Sequence, residues 1–512
     1  RPGGTVRGRD ECTKVLNRTT AAAEDRFCRA LRQFERHALV RRVVENHEAA
    51  VIDRSGWERT SGAVLDLSAN SRESRADIYD GILKTNAISC ASRIILEAAL
   101  CECPVGSGFD VADFDLSNLM ASAMIVHHLG GYSDAIRYEG MRPEVRISPA
   151  GEVQIDVSFF DTIVTPVGES FVSGLIDRSR REYSELLHDP EPLTEKQATS
   201  VTDMRFAAAW EIEMGISLGN FRSALEALEN RLYLAGRAWE VLPRPLLLKY
   251  LSDYVDCADQ FVAALELLPR DGWKDIPPPY SDQDRQPWRF RRRLSVTRRP
   301  VLRLDSSPES AVMIAPGMIR DAFRILLHNF YHGQYDLSAL ESKEMRDWRE
   351  YIVAKEAAEF EERVATRLRG LGWQARRGAK FSHVFGRKVT PDPGDIDVLA
   401  WHPDGHVLLL ECKDLQFAKT SSEIAKQLYK FRGKKDEKGR PDLLLKHLNR
   451  IELAKQNTTE FEAHLKLKDL KIDGALIFAN TVPMSFAVER IGEAVTLLTY
   501  DQLDEYVNRS VC

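Results

Sequence analysis

The sequence predicts a multidomain chain: a mainly α-helical N-terminal region and a C-terminal α/β domain, a mixed sheet flanked by helices. Three observations carry that prediction. Apolar residues recur at helical spacing through 19–50, 86–102, 115–130, 202–241 and 244–268. Between residues 395 and 413 the period changes to two, in two runs joined by a short turn. A proline run, Pro277-Pro278-Pro279, followed by Ser281-Asp282-Gln283-Asp284, punctuates the chain near 272–287. The expected division is 1–275, a mainly helical domain; 276–345, a linker and small α/β connector; and 346–512, the α/β domain.

Taken in chain order, residues Arg1 to Arg9 read as disordered, and an opening on Arg1 rather than Met suggests a trimmed start. The helical stretches follow, interrupted by a β-hairpin: Glu144-Val145-Arg146-Ile147, a Ser-Pro-Ala-Gly turn at 148–151, then Glu152 to Val157. In the connector, Val301 to Leu304 and Ala311 to Ile314 read as strands and a helix starts near Met318. Glu359 to Gly372 carries Phe360, Val364, Leu368 and Leu371 on one helical stripe. Ile424, Leu428 and Phe431 define the inner face of a later helix, and Gly474 to Phe478 and Ala494 to Leu498 read as further strands.

The central motif is Gly394-Asp395-Ile396-Asp397-Val398-Leu399-Ala400 followed by Leu410-Glu411-Cys412-Lys413. Side chains two apart share a strand face, so Asp395 and Asp397 point one way, and Glu411 and Lys413 share a face of the next strand. The link His402-Pro403-Asp404-Gly405-His406 reads as a turn. If Pro403-Asp404-Gly405 form a three-residue loop with Gly405 left-handed, His402 pairs with His406 and Asp397 stands opposite Glu411. A two-residue loop would instead oppose Asp397 to Cys412. Two carboxylates and an ammonium on one side of a sheet can hold a divalent metal against a phosphodiester and activate a water. An exposed hairpin with ordinary surface ion pairs is the alternative. The apolar run Val407 to Leu410 weighs against it, because charges beside a sheet interior are costly without a partner or a job.

Glu361, turned toward the apolar stripe of its helix, and Gln427, at the edge of its own, are candidates for the outer parts of the site or plain solvated residues. Together, Phe360-Glu361, Asp397, Glu411-Cys412-Lys413 and Gln427 resemble the PD-(D/E)xK nuclease superfamily, in its restriction-endonuclease-like, Mrr-type branch. The resemblance covers roughly residues 346–512. It implies Mg²⁺ as cofactor, with Mn²⁺ able to substitute. Asp397, Glu411 and the carbonyl of Cys412 would bind the metal, and Lys413 would orient or deprotonate the attacking water. It also implies a DNA endonuclease in bacterial defence; the alternative is a catalytically silent nuclease fold that binds nucleic acid or serves as a scaffold. RNA as the substrate is a third reading. The surplus acid Asp395 has no assigned role.

Net charge is −6, so the chain as a whole does not suggest nucleic acid, but local charge does. From Lys413 to Lys455 there are 12 Lys or Arg against 6 Asp or Glu, and Lys430, Lys434 and Lys435 are expected to lie along a phosphate backbone, or else in a solvated loop. Residues 285–303 hold eight arginines and no acid, with Trp288 and Phe290 interleaved. Arg289, Arg291, Arg292 and Arg293 are expected to grip nucleic acid there, with an acidic protein surface as the competing partner. A homodimer or a protein partner is the expected role for the N-terminal region.

Other constellations are weak. His328 and His332 stand one helical turn apart without the metalloprotease Glu or a third ligand. His127-His128, beside Gly130-Gly131, reads as a helix end, and Cys101-x-Cys103 has no second ligand pair. There is no repeat, no Walker-type phosphate loop and no Gly-x-Gly-x-x-Gly. No apolar stretch reaches the roughly 18 residues of a membrane helix, no signal peptide is visible, and the eight cysteines are scattered. A reducing cytoplasm is therefore the expected compartment.

Overall fold

The computed structural model describes residues 3–68, 71–188, 204–307, 309–487 and 495–511. Two compact units emerge, one of Arg1–Thr13, Asp134–Ser170 and Val353–Cys512, the other of Lys14–Ser133 and Phe171–Ile352. This differs from the division expected. The hairpin region belongs with the C-terminal third, and 276–345 is part of the helical unit rather than a separate connector.

In the first unit, β1 (Gly4–Arg7), β2 (Glu144–Ile147) and β3 (Val153–Ile155) form an antiparallel sheet in the order β1-β2-β3. The predicted hairpin is present; of the stretch Arg1 to Arg9 expected to be disordered, residues 1–2 lie outside the described residues and Gly4–Arg7 is a strand. Gly4–Arg7 pairs with β2, Val6 opposite Val145. Its backbone groups find partners that lie far along the chain, which local composition does not reveal.

The second unit is organised by two long helices, Arg36–Leu67 and Arg72–Glu102. Glu35 and Ser71 cap them, accepting from the N–H groups of Ala38 and Ser74, which have no helical carbonyl to meet. Leu39, Val40, Val43 and Val44 supply the first helix's buried stripe, packed with Ile94, Ile95, Phe27 and Trp273. The helical reading of 202–241 and 244–268 breaks at Glu240–Pro243, which is strand β4. It joins β5 (Glu266–Leu267), β6 (Val301–Arg303) and β7 (Ala311–Ile314) in the order β4-β7-β6-β5.

The sheet that positions the candidate site lies in the first unit. It comprises β8 (Gln374–Lys380), β9 (Asp395–Trp401), β10 (His406–Lys413), β11 (Lys471–Phe478) and β12 (Thr496–Thr499), in the order β12-β11-β10-β9-β8. Strands β8, β9 and β10 are antiparallel and β10, β11 and β12 parallel, the mixed sheet expected. A parallel return needs a crossover; between β10 and β11 it contains helices Ser421–Tyr429, Leu443–Gln456 and Thr458–Leu465. The predicted stripe of Phe360, Val364 and Leu368, on helix Lys343–Gly370, packs against Val398, Ala400, Leu408, Leu410 and Cys412. On the other face, helix Leu443–Gln456 comes so close that a Cβ on Gly474 would sit 2.2 Å from Ile451 Cδ1. Only glycine leaves room there. Of the expected strand at 494–498, residue 494 lies outside the described residues.

Candidate active site

The hairpin forms as the turn chemistry predicts. His402 N–H donates to the His406 carbonyl at 2.9 Å, Gly405 N–H to the His402 carbonyl at 3.0 Å, and Gly405 has φ +95°. The ladder runs from Val407 opposite Trp401 to Leu410 opposite Val398. One more step in this register sets Asp397 beside Glu411. Lys413 Nζ then lies 3.2 Å from Asp397 Oδ2 and 2.8 Å from Glu411 Oε1, and the Cys412 N–H donates to Asp397 Oδ2 at 2.9 Å. The three charged groups converge on one side of the sheet.

Their electrostatics follow from burial and from each other. Glu411 is 4% exposed. Burial works to raise its carboxyl, but Lys413 and Arg450 override that and hold it below the usual range. At Asp397 burial and the negative charge of Glu411 outweigh Lys413, and the carboxyl is pushed up. Burial works against the Lys413 ammonium, yet the two acids hold its pKa above the ordinary lysine value.

Glu361 joins this field from helix Lys343–Gly370. Its carboxyl is raised by burial first and by Asp397 next, and its ion-pair partner is Arg377 at 4.0 Å. Gln427 donates from Nε2 to the Gln416 carbonyl at 2.6 Å, while its Oε1 is buried without a hydrogen-bond partner. The Cys412 side chain packs in the core with Phe360, so its share in the site is backbone. Asp395 keeps its side chain exposed.

The donor set suits a hard cation. Two carboxylates and a backbone carbonyl, completed by water, are what Mg²⁺ takes. Burial first, and the neighbouring acids after it, raise the Asp397 and Glu361 carboxyls, and a bound divalent ion would favour their charged forms. Among the described residues, no three His, Cys, Asp or Glu side chains come together as a metal cage.

Sequence reasoning missed Arg450 and His447. Both project from helix Leu443–Gln456 toward Glu411: Arg450 Nη1 donates to Glu411 Oε2, and His447 Nδ1 lies 3.8 Å from the same oxygen. Arg450 also donates to the Asp395 carbonyl at 3.0 Å. The signal was available, since the two share the inner stripe of that helix with Leu444, Ile451 and Ala454. An arginine and a histidine on an apolar stripe need a buried partner.

Arg292 and Arg293 do not have the role expected of them. Arg292 is buried against Glu97, and Arg293 against Asp284 at 2.8 Å. Arg291 donates to Asn329 and Gln334, Arg289 to Gln286, and Trp288 is 8% exposed. Arg292 and Arg293 brace the second unit from within, while Arg289 and Arg291 are half-buried. Lys430, Lys434 and Lys435 are exposed. His127 lies inside helix Asp113–Arg137, not at its end; its Nδ1 is 3.0 Å from the Pro287 carbonyl.

Fold and site together define an α/β unit whose mixed sheet presents an acid–acid–lysine cluster. A family model described as "Anti-phage protein Upx-like" matches residues 2–498, and the chain belongs to this Upx-like family of anti-phage proteins. No curated protein and no solved structure matches it. Among the described residues no helix is long and apolar enough to cross a membrane.

Proposed function

We propose that the first unit is a metal-dependent nuclease of the PD-(D/E)xK type, a DNA endonuclease that acts on invading phage DNA. The observation that carries this reading is the single ammonium, Lys413 Nζ, at 3.2 Å from Asp397 and 2.8 Å from Glu411 across one hairpin. Asp397 and Glu411 would hold Mg²⁺ together with the Cys412 carbonyl. The bound ion would supply charge neutralisation at the phosphate and a lower pKa for a coordinated water. Lys413 would orient that water and stabilise negative charge on the phosphate oxygens while the water oxygen bonds to phosphorus and the P–O bond to the leaving oxygen breaks. Glu361 and Gln427 stand as outer candidates. The exposed Lys430, Lys434 and Lys435, on the chain that leaves β10, would meet the phosphate backbone.

The alternative is a silent nuclease fold that binds nucleic acid or serves as a scaffold. One observation favours it: Lys413 and Arg450 between them already neutralise both acids. Incubating the full chain with plasmid, linear duplex, single-stranded DNA and RNA separates the two, with magnesium, manganese or chelator. Metal-dependent cleavage of DNA is expected. Binding without cleavage in any divalent metal would favour the silent fold, and cleavage of RNA alone would move the substrate assignment.

A further inference from the structure

We infer that the site takes a single divalent cation, because Arg450 occupies the side of Glu411 where a second would bind and fixes which oxygen Glu411 offers. This rests on the nuclease reading above and concerns residues that the motif itself does not include.

Two-metal hydrolases hold their ions about 3.5–4 Å apart, with carboxylate oxygens to spare for both. Here each acid has one oxygen held by a group other than Lys413. Glu411 Oε2 accepts from Arg450, with His447 Nδ1 at 3.8 Å. Asp397 Oδ2 accepts from the Cys412 N–H at 2.9 Å and from Lys413 at 3.2 Å. What remains is Asp397 Oδ1 and Glu411 Oε1, enough for one ion completed by the Cys412 carbonyl and water. Glu411 Oε1 is also the oxygen that Lys413 touches at 2.8 Å, but an ammonium on a four-carbon stem can swing aside.

Arg450 has no such freedom. The residue is only 9% exposed, and its Nη1 reaches Glu411 and the Asp395 carbonyl together. The helix that carries it is seated next to β11 by Ile451 against Gly474. Arg450 is therefore a positioning residue: a guanidinium held behind Glu411 that engages Oε2 and leaves Oε1 on the side of Lys413. Partners of this kind typically cost 10–100-fold in metal affinity or activity when removed, an order-of-magnitude guide.

Mn²⁺ titration of the full chain, read by electron paramagnetic resonance of the free ion, tests this without relying on cleavage. Wild type should bind one Mn²⁺ more than Asp397→Ala. Arg450→Met should keep that ion with an affinity about 10-fold weaker or more. Loss of two ions in Asp397→Ala overturns the stoichiometry, and unchanged affinity in Arg450→Met overturns the positioning role. Equal binding by wild type and Asp397→Ala removes the metal reading itself, which is a different failure. If Arg450→Met does not fold, Arg450→Lys, which keeps the charge and shortens the reach, should show a smaller weakening; no weakening there counts against Arg450.

Discussion

Two cation-rich stretches, 285–303 and 430–440, look alike in sequence and behave oppositely in the structure. In the first, Arg285, Arg292 and Arg293 turn inward onto Glu24, Glu97 and Asp284. In the second, Lys430, Lys434, Lys435, Lys438 and Arg440 stay exposed, while Arg432 is half-buried on Glu139. The difference is not in the cations but in the carboxylates that the fold brings to them. Glu24 and Glu97 stand 261 and 195 residues before the arginines they meet, on helices of the same unit. A run of positive charge is thus a candidate nucleic-acid surface only where topology supplies no internal acid, because a buried cation must be paired.

The largest effect that would test this contrast is in the second unit. Arg292→Met leaves Glu97 buried and unpaired, so chemical denaturation should show a loss of about 3–5 kcal/mol. Adding Glu97→Gln should recover part of it. A loss under about 1 kcal/mol would mean the pair behaves like a surface one, and the contrast would fail.

Next comes a buried base kept neutral. Burial pushes His447 down to about 4 from an ordinary 6.5, despite the nearby Glu411. Between those values the unfolded chain binds a proton that the fold does not, so stability is full above 6.5 and falls as the pH drops toward 4. The span corresponds to roughly 3 kcal/mol. His447→Gln should flatten that acid limb in denaturation curves recorded across the window; an unchanged limb would assign the loss to other groups.

The smallest effect on stability, and the most telling for function, belongs to the exposed stretch. Lys430→Ala, Lys434→Ala and Lys435→Ala should each stay within about 0.5 kcal/mol of neutral for folding. Combined in one chain, they should weaken DNA binding evenly across sequences and flatten its log–log salt slope by about 0.9 for each phosphate they no longer neutralise. An unaltered slope would leave both cation-rich stretches without a nucleic-acid role.

Legibility followed the range of the contacts. The β9–β10 register could be read because Pro403-Asp404-Gly405 fixes it locally, and Gly405 takes the left-handed conformation that a three-residue loop needs. The stripe of Phe360, Val364 and Leu368 was visible for the same reason, a short period on one helix. Pairings made across the chain were not. Strand β1 pairs with a segment more than a hundred residues later, and the arginines of 285–303 are satisfied by distant helices. Arg450 and His447 fell between these cases. Their place on an apolar stripe was readable, but that the stripe faces Glu411 depends on the crossover between β10 and β11.

The most direct test of a hydrolytic site at this hairpin is plasmid cleavage by the full chain and by Asp397→Ala and Lys413→Ala, each with Mg²⁺, Mn²⁺ or chelator. Wild type should cut in either metal and not in chelator, and each variant should lose at least about 10²-fold in rate while still binding DNA. Cleavage that survives both substitutions, or wild type that binds DNA and leaves it intact in every metal, would contradict it.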